Sequence, residues 1–369
     1  MPDDVFPLEG VIRDYAWGSP TVIAHMLGIE PDGRPAAELW FGAHTGSPSP
    51  ALGSTLDEVI AADPDTMLGT AIREQFGDHL PYLLKVLAAD KALSIQVHPD
   101  RAQAEAGFAA EQQDGLPSER RNYTDANHKP ELLCALTPFE AMCGFRPVEQ
   151  TLAVLDELAA PELHFVADAL RGPDGLRTAF TAVLEHDDPG TLAEAVAARA
   201  TSDGPLRAAW LAAHDFPGDI GVVVTLLLNY RRLEPGQAIY LAAGNVHGYL
   251  RGTGVEIMAN SDNVLRCGLT PKRIDVSELV QITDFTELTE PLWPAEAGTF
   301  RVPVPDFALS RLDGAPVELL AGQPRIVLCV EGITEVGDLA LPPGHAAYLT
   351  PAAAVTVRGG SAFVAMPGQ

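Results

Sequence analysis

The spacing of apolar residues changes period several times along the chain. From 80 to 98, LPYLLKVLAAD and KALSIQVHP read as two apolar strands around a tight Ala-Asp-Lys turn. Within the second, a strand directs Ile95 and Val97 into the core and Gln96 and His98 together to the opposite face. Beyond Pro99, Asp100 can cap an alanine-rich helix through RAQAEAGFAAEQ. Between about 148 and 216 the period becomes helical in TLAVLDELAA, LRTAFTAVLEH and GTLAEAVAARA, with breaks at PDG and DDPG. From 236 to 269 the chain returns to short runs, QAIYLAAG, NVHGYL, GVEIMAN and NVLRCGL, punctuated by Gly, Asn, Asp and Ser. The tail repeats this style in PRIVLCVEG, ITEVGDLAL, AAYLT, AVTVRG and SAFVAM, divided by PPG and GG turns, as a small second barrel would.

The pattern predicts a mainly β protein with a helical insertion. A first barrel is expected to be built from 1–147 and 220–290, an all-α domain from 148–219 and a C-terminal barrel from 291–369. A length of 369 residues suits two or three domains. The longest apolar stretch, VVVTLLL at 222–228, is far short of a membrane span, and the acidic start MPDDVFPLEG is unlike a signal peptide. Cys134, Cys143, Cys267 and Cys329 form no CxxC pair, so neither disulfides nor a thiolate zinc site are expected, and the cytoplasm is the expected compartment. A formal charge of -26 argues against nucleic acid or an anionic membrane as partner. Only four of the 24 cationic residues are lysines, Lys85, Lys91, Lys129 and Lys272, which points to places where a compact ammonium works and a planar guanidinium does not.

Candidate ligands come from three places: Gln96 and His98 at a strand end, Glu131 in NHKPELL, and His247 in GNVHGYL. Two imidazoles, an amide and a carboxylate make a nitrogen and oxygen shell that suits Zn²⁺. On spacing alone, Gln96 and His98 also fit a satisfied polar pair at a barrel mouth, Glu131 a surface carboxylate and His247 a turn residue.

The wider set of motifs narrows the choice. YAWGS at 15–19, ELWFGAHTGSPS at 38–49, LPYLLKVL at 80–87, SIQVHPD at 94–100, NHKPELLCAL at 127–136 and GNVHGYLRGTGVEIMANSDNVLRCGLTPKRID at 244–275, in this order, resemble the type I mannose-6-phosphate isomerases. The resemblance implies two cupin-like jelly-roll barrels plus an all-α domain, and a monomeric enzyme that interconverts mannose 6-phosphate and fructose 6-phosphate with one Zn²⁺. Its metal ligands fall on Gln96, His98, Glu131 and His247, and its catalytic arginine on Arg266. Its pocket residues match Trp17, Lys85, Ser94, His128, Lys129, Tyr249, Glu256, Asp262 and Lys272. Of these, Trp17, Lys85, Ser94, Tyr249 and Lys272 are expected to bind substrate, and His128, Lys129, Glu256 and Asp262 to be the candidates for moving the proton. The tail is too generic to align. A cupin dioxygenase and a non-catalytic sugar-phosphate-binding cupin are the rival readings.

Overall fold

The strand Tyr82–Ala89 reads YLLKVLAA, and all eight of its residues are buried. That is the signature of a strand covered on both faces. The computed structural model describes residues 4–117 and 120–368 and is mostly β with helices. Tyr82–Ala89 is flanked by Glu38–Gly42 on one side and by the long strand His247–Ala259 on the other.

The sequence pattern predicts two runs here, NVHGYL and GVEIMAN. The structure instead has a single strand that bends. Its first part, through Arg251, pairs with Ile95–Val97 and Phe139–Phe145; its second, from Gly252, pairs with Tyr82–Ala89 and Glu131–Ala135. A register shift between Tyr249 and Arg251 and a positive φ of 122° at Gly252 mark the change of partners. Glycine here signals a bulge that turns a corner, not a loop. A Cβ at Gly252 would sit 2.8 Å from the Phe139 Cα. Gly252→Ala should therefore cost roughly 2 kcal/mol or more of stability, read as a fall in the midpoint of chemical denaturation.

Tyr82–Ala89 and Ile95–Val97 do not pair with each other. The intervening turn is pinned elsewhere: the Trp17 carbonyl accepts from Asp90 and Lys91 N–H (2.9 and 3.1 Å), Asp215 Oδ2 accepts from Ala92 N–H (2.7 Å), and the Tyr249 carbonyl accepts from Leu93 N–H (2.9 Å). Ile95–Val97 is thereby delivered to a second branch of the sheet, between Leu265–Gly268 and His247–Ala259. The helix Arg101–Gln113 follows, closed by reciprocal 2.8 Å bonds between Asp100 and Gln103.

Helices fill the segment from Val148–Leu158 to Arg207–Asp215, and helical structure continues beyond 219 through Gly221–Val224 and Thr225–Leu227. Their apolar residues, among them Phe180, Val183, Val196 and Leu211, share one core with Ile95, Val97, Met142 and Leu265. The helices thus cover the outer face of the second branch and leave the face carrying Gln96 free to look inward.

The tail forms a six-stranded and a four-stranded sheet. The first strand of the chain, Val5–Leu8, pairs with Ala346–Leu349 of the tail. Phe300, Phe307, Ile326 and Phe363 of the tail share a core with Leu84 and Val86, and Tyr82 donates to the Ala365 carbonyl at 3.2 Å. No helix among the described residues is long and apolar enough to cross a membrane.

Candidate metal centre

Residues directly opposite each other in a ladder project to the same face. Across the second branch, Arg266 faces Gln96, Gln96 faces His247 and His247 faces Cys143, which sets an arginine, an amide and an imidazole in one row. Across the other branch, Trp40 faces Lys85 and Lys85 faces Glu256; Glu131, two residues from Leu133 opposite Glu256, shares that side. The bend in His247–Ala259 turns these two faces toward one interior.

His98, Glu131 and His247 meet there, buried, with candidate ligand atoms all within 4.8 Å of one another. Glu131 Oε2 lies 3.5 Å from His98 Nε2 and 3.3 Å from His247 Nε2. Each imidazole offers its other nitrogen to a backbone carbonyl, His98 Nδ1 to Asn263 O at 2.7 Å and His247 Nδ1 to Asn245 O at 2.9 Å. A carbonyl only accepts, so Nδ1 carries the hydrogen and Nε2 points a lone pair inward. The two Nε2 atoms and Glu131 Oε2 are buried without hydrogen-bond partners. Three acceptors aimed at one point with no donor between them fit a cation, and carbonyls behind the imidazoles are the support that metal-binding histidines use.

Electrostatics favour the same state. Burial, reinforced by Lys129, drives the His98 pKa down to about 3 and keeps the imidazole neutral. Burial alone would raise Glu131, but the Lys129 ammonium outweighs it and the carboxyl is held well below its usual range. Lys129 Nζ sits 2.8 Å from Glu131 Oε1, which leaves Oε2 facing the same point as the two Nε2 atoms.

A second network lines the same interior. Glu256 accepts from Lys85 Nζ at 3.1 Å and from the Tyr249 hydroxyl at 2.8 Å. Burial raises the Glu256 pKa against the pull of Lys85. Burial works against the Lys85 ammonium, yet Glu38 and Glu256 together raise its pKa. Arg266 is half-buried and forms no ion pair among the described residues. Lys272 is exposed, and the nearby Arg266 charge depresses its pKa.

The remaining expected site residues lie at varied depths. Ser94 is half-buried two residues before Gln96. Trp17 is half-buried against Tyr15 at 5.9 Å and packs on the cluster containing Tyr249. His128 Nε2 is 3.0 Å from Asp306 Oδ2, and Asp262 is exposed, 3.5 Å from His44 Nε2. Asp306, Glu38, Trp40 and His44 were not among the sequence candidates. Three of these lie in ELWFGAHTGSPS, a stretch that carried the resemblance, and Glu38 takes the Trp40 indole N–H at 2.5 Å. Asp306 comes from the unaligned tail.

Fold and site define a β-rich protein with a candidate metal centre at His98, Glu131 and His247. A family model described as phosphomannose isomerase type I, catalytic domain, matches residues 5–148. The mannose-6-phosphate isomerase of Escherichia coli (strain K12) is 40% identical over 94% of this chain and 95% of its own length. That of Homo sapiens is 32% identical over 89% and 88%. Among solved structures, a mutant phosphomannose isomerase from Salmonella typhimurium superposes with a TM-score of 0.92 at 34% identity, covering 100% of both chains. A mannose 6-phosphate isomerase bound with zinc and yttrium gives 0.91 at 35% identity, covering 100% of both. The chain belongs to the type I phosphomannose isomerases.

Proposed function

We propose that the chain interconverts mannose 6-phosphate and fructose 6-phosphate, using one zinc ion held by Gln96, His98, Glu131 and His247. The observation that carries this reading is the set of three orphaned, buried ligand atoms beside unpaired Arg266, together with the activity named for its relatives. The same reading arranges the chain as two cupin-like jelly-roll barrels with a helical domain between their strands, and has it act as a cytoplasmic monomer with no nucleic-acid or membrane partner. The segregation of the tail sheets from the branched sheet and the charge of -26 support it.

Moving a proton between C2 and C1 develops negative charge on two adjacent oxygens. Bound zinc supplies Lewis-acid polarisation of those oxygens. Arg266 shares the row with Gln96 and His247 and brings a permanent positive charge to the same place. Glu256 carries the proton in this reading: its carboxyl is held in place by Lys85 and Tyr249, and its raised pKa brings it toward a working range. With substrate deuterated at C2, turnover should release deuterium to solvent, and Glu256→Gln should abolish that release while retaining zinc. Release of the label would rule out hydride shift as the sole route, and release by Glu256→Gln at the wild-type rate would remove Glu256 as the carrier.

Lys272 and Arg266 together answer the phosphate, and Ser94 adds a hydroxyl. The molecule's overall charge repels a sugar phosphate at long range, so local cations must capture it. Lys272→Ala should raise KM about tenfold or more with little change in kcat. Equal losses in both would assign Lys272 a role in the chemical step. The direct test of the function is a coupled assay on mannose 6-phosphate before chelation, after chelation and after zinc is restored. Inactivity of the zinc-loaded protein would favour a sugar-phosphate binder, and oxygen uptake a dioxygenase.

A further inference from the structure

A cavity of about 950 Å³ lies between the helix Val148–Leu158 and the strands Phe139–Phe145 and Leu228–Leu233. It shares no lining residue with the site described above, and four arginines line it: Arg146, Arg207, Arg231 and Arg232. So dense a cationic group is unexpected in a chain of net charge -26.

One of the four is already neutralised. Arg207 forms a two-point pair with Glu140, at 2.6 and 2.7 Å, and the Tyr230 hydroxyl donates to the same carboxylate at 2.6 Å. The other three have no ion pair among the described residues. Arg146 is 6% exposed, and its Nη1 is buried with no hydrogen-bond partner. Arg231 is half-buried and gives Nη1 only to the Tyr230 carbonyl at 3.4 Å. Arg232 is exposed at the opening, as are the acidic Glu157 and Asp203. Burial and the neighbouring Arg231 lower the Arg146 pKa to about 10.

A buried guanidinium N–H without an acceptor is destabilising, and such groups persist where something outside the chain completes them. Guanidinium groups recognise oxyanions through paired N–H donors, and the cavity is of ligand size. We infer that this cavity is a second binding site, taking a small, multiply charged oxyanion at Arg146, with Arg231 and Arg232 as further lining cations. Phosphate and carboxylate groups share that chemistry, and the test separates them.

The test is calorimetric titration of the zinc-loaded full chain with pyrophosphate and, separately, with citrate. Wild type should bind at least one probe, and the preferred probe identifies the ligand class. Binding at this site should weaken at least tenfold in Arg146→Met and in Arg231→Gln/Arg232→Gln, with isomerase kinetics in the absence of probe unchanged. The double variant alters only half-buried and exposed side chains, so it carries the test if the buried substitution prevents folding. Failure of both probes to bind wild type, or binding unaltered in the double variant, overturns the proposal. Because the comparison is between variants outside the metal centre, its outcome is independent of the catalytic assignment.

Discussion

Replacing Glu131 with glutamine should lower kcat/KM for mannose 6-phosphate by at least about 10³-fold and reduce bound zinc to a small fraction of a mole per mole of chain. The amide keeps the shape of the carboxylate and its oxygen can still accept from Lys129, so the fold should survive, as circular dichroism would report. What is lost is the anionic Oε2 that faces both imidazole nitrogens at 3.3 and 3.5 Å. Without it, two neutral lone-pair donors and an amide retain the ion poorly while the Lys129 ammonium remains beside them. A thousandfold loss corresponds to about 4 kcal/mol of transition-state stabilisation, a magnitude within reach of a lost metal. Stoichiometric zinc with wild-type kinetics in this variant would remove Glu131 from the metal shell.

Arg266→Ala should lower kcat by about 10²–10³-fold, the usual effect of deleting one donor aimed at a developing oxyanion. Zinc content should stay unchanged. Burial disfavours the Arg266 charge and lowers its pKa, and no carboxylate compensates among the described residues. A cation kept in that condition answers a negative charge brought by the substrate. Arg266→Lys should restore little, because a lysine cannot reproduce the planar two-point fork. Steady-state kinetics separate this role from phosphate capture alone: a rise in KM with kcat intact would make Arg266 a partner of Lys272 and not of the reacting carbons.

Local pattern made some of this legible and hid the rest for physical reasons. Alternation in SIQVHP was enough to put Gln96 and His98 on one face, because strand geometry fixes side-chain direction within a few residues. Helix-period segments between 148 and 216 and the cap at Asp100 were readable for the same reason. The convergence of Glu131 and His247 on His98 depends on ladders between strands far apart in sequence, and only the motif resemblance suggested it. Pairing of Val5–Leu8 with Ala346–Leu349 had no local signal at all. NVHGYL and GVEIMAN read as separate runs because glycine marks both loops and bulges, and the close approach of Phe139 to Gly252 belongs to a bulge. Glu38 and Trp40 escaped notice because they read as part of an apolar strand, while their role is to hold one another and face Lys85.

The most direct measurement is zinc content by inductively coupled plasma mass spectrometry on the purified wild type and on folded His98→Ala and His247→Ala variants. The convergence of these side chains predicts close to one zinc per wild-type chain and less than about a tenth in each variant, with activity falling in parallel. Near-stoichiometric zinc in both variants would contradict it.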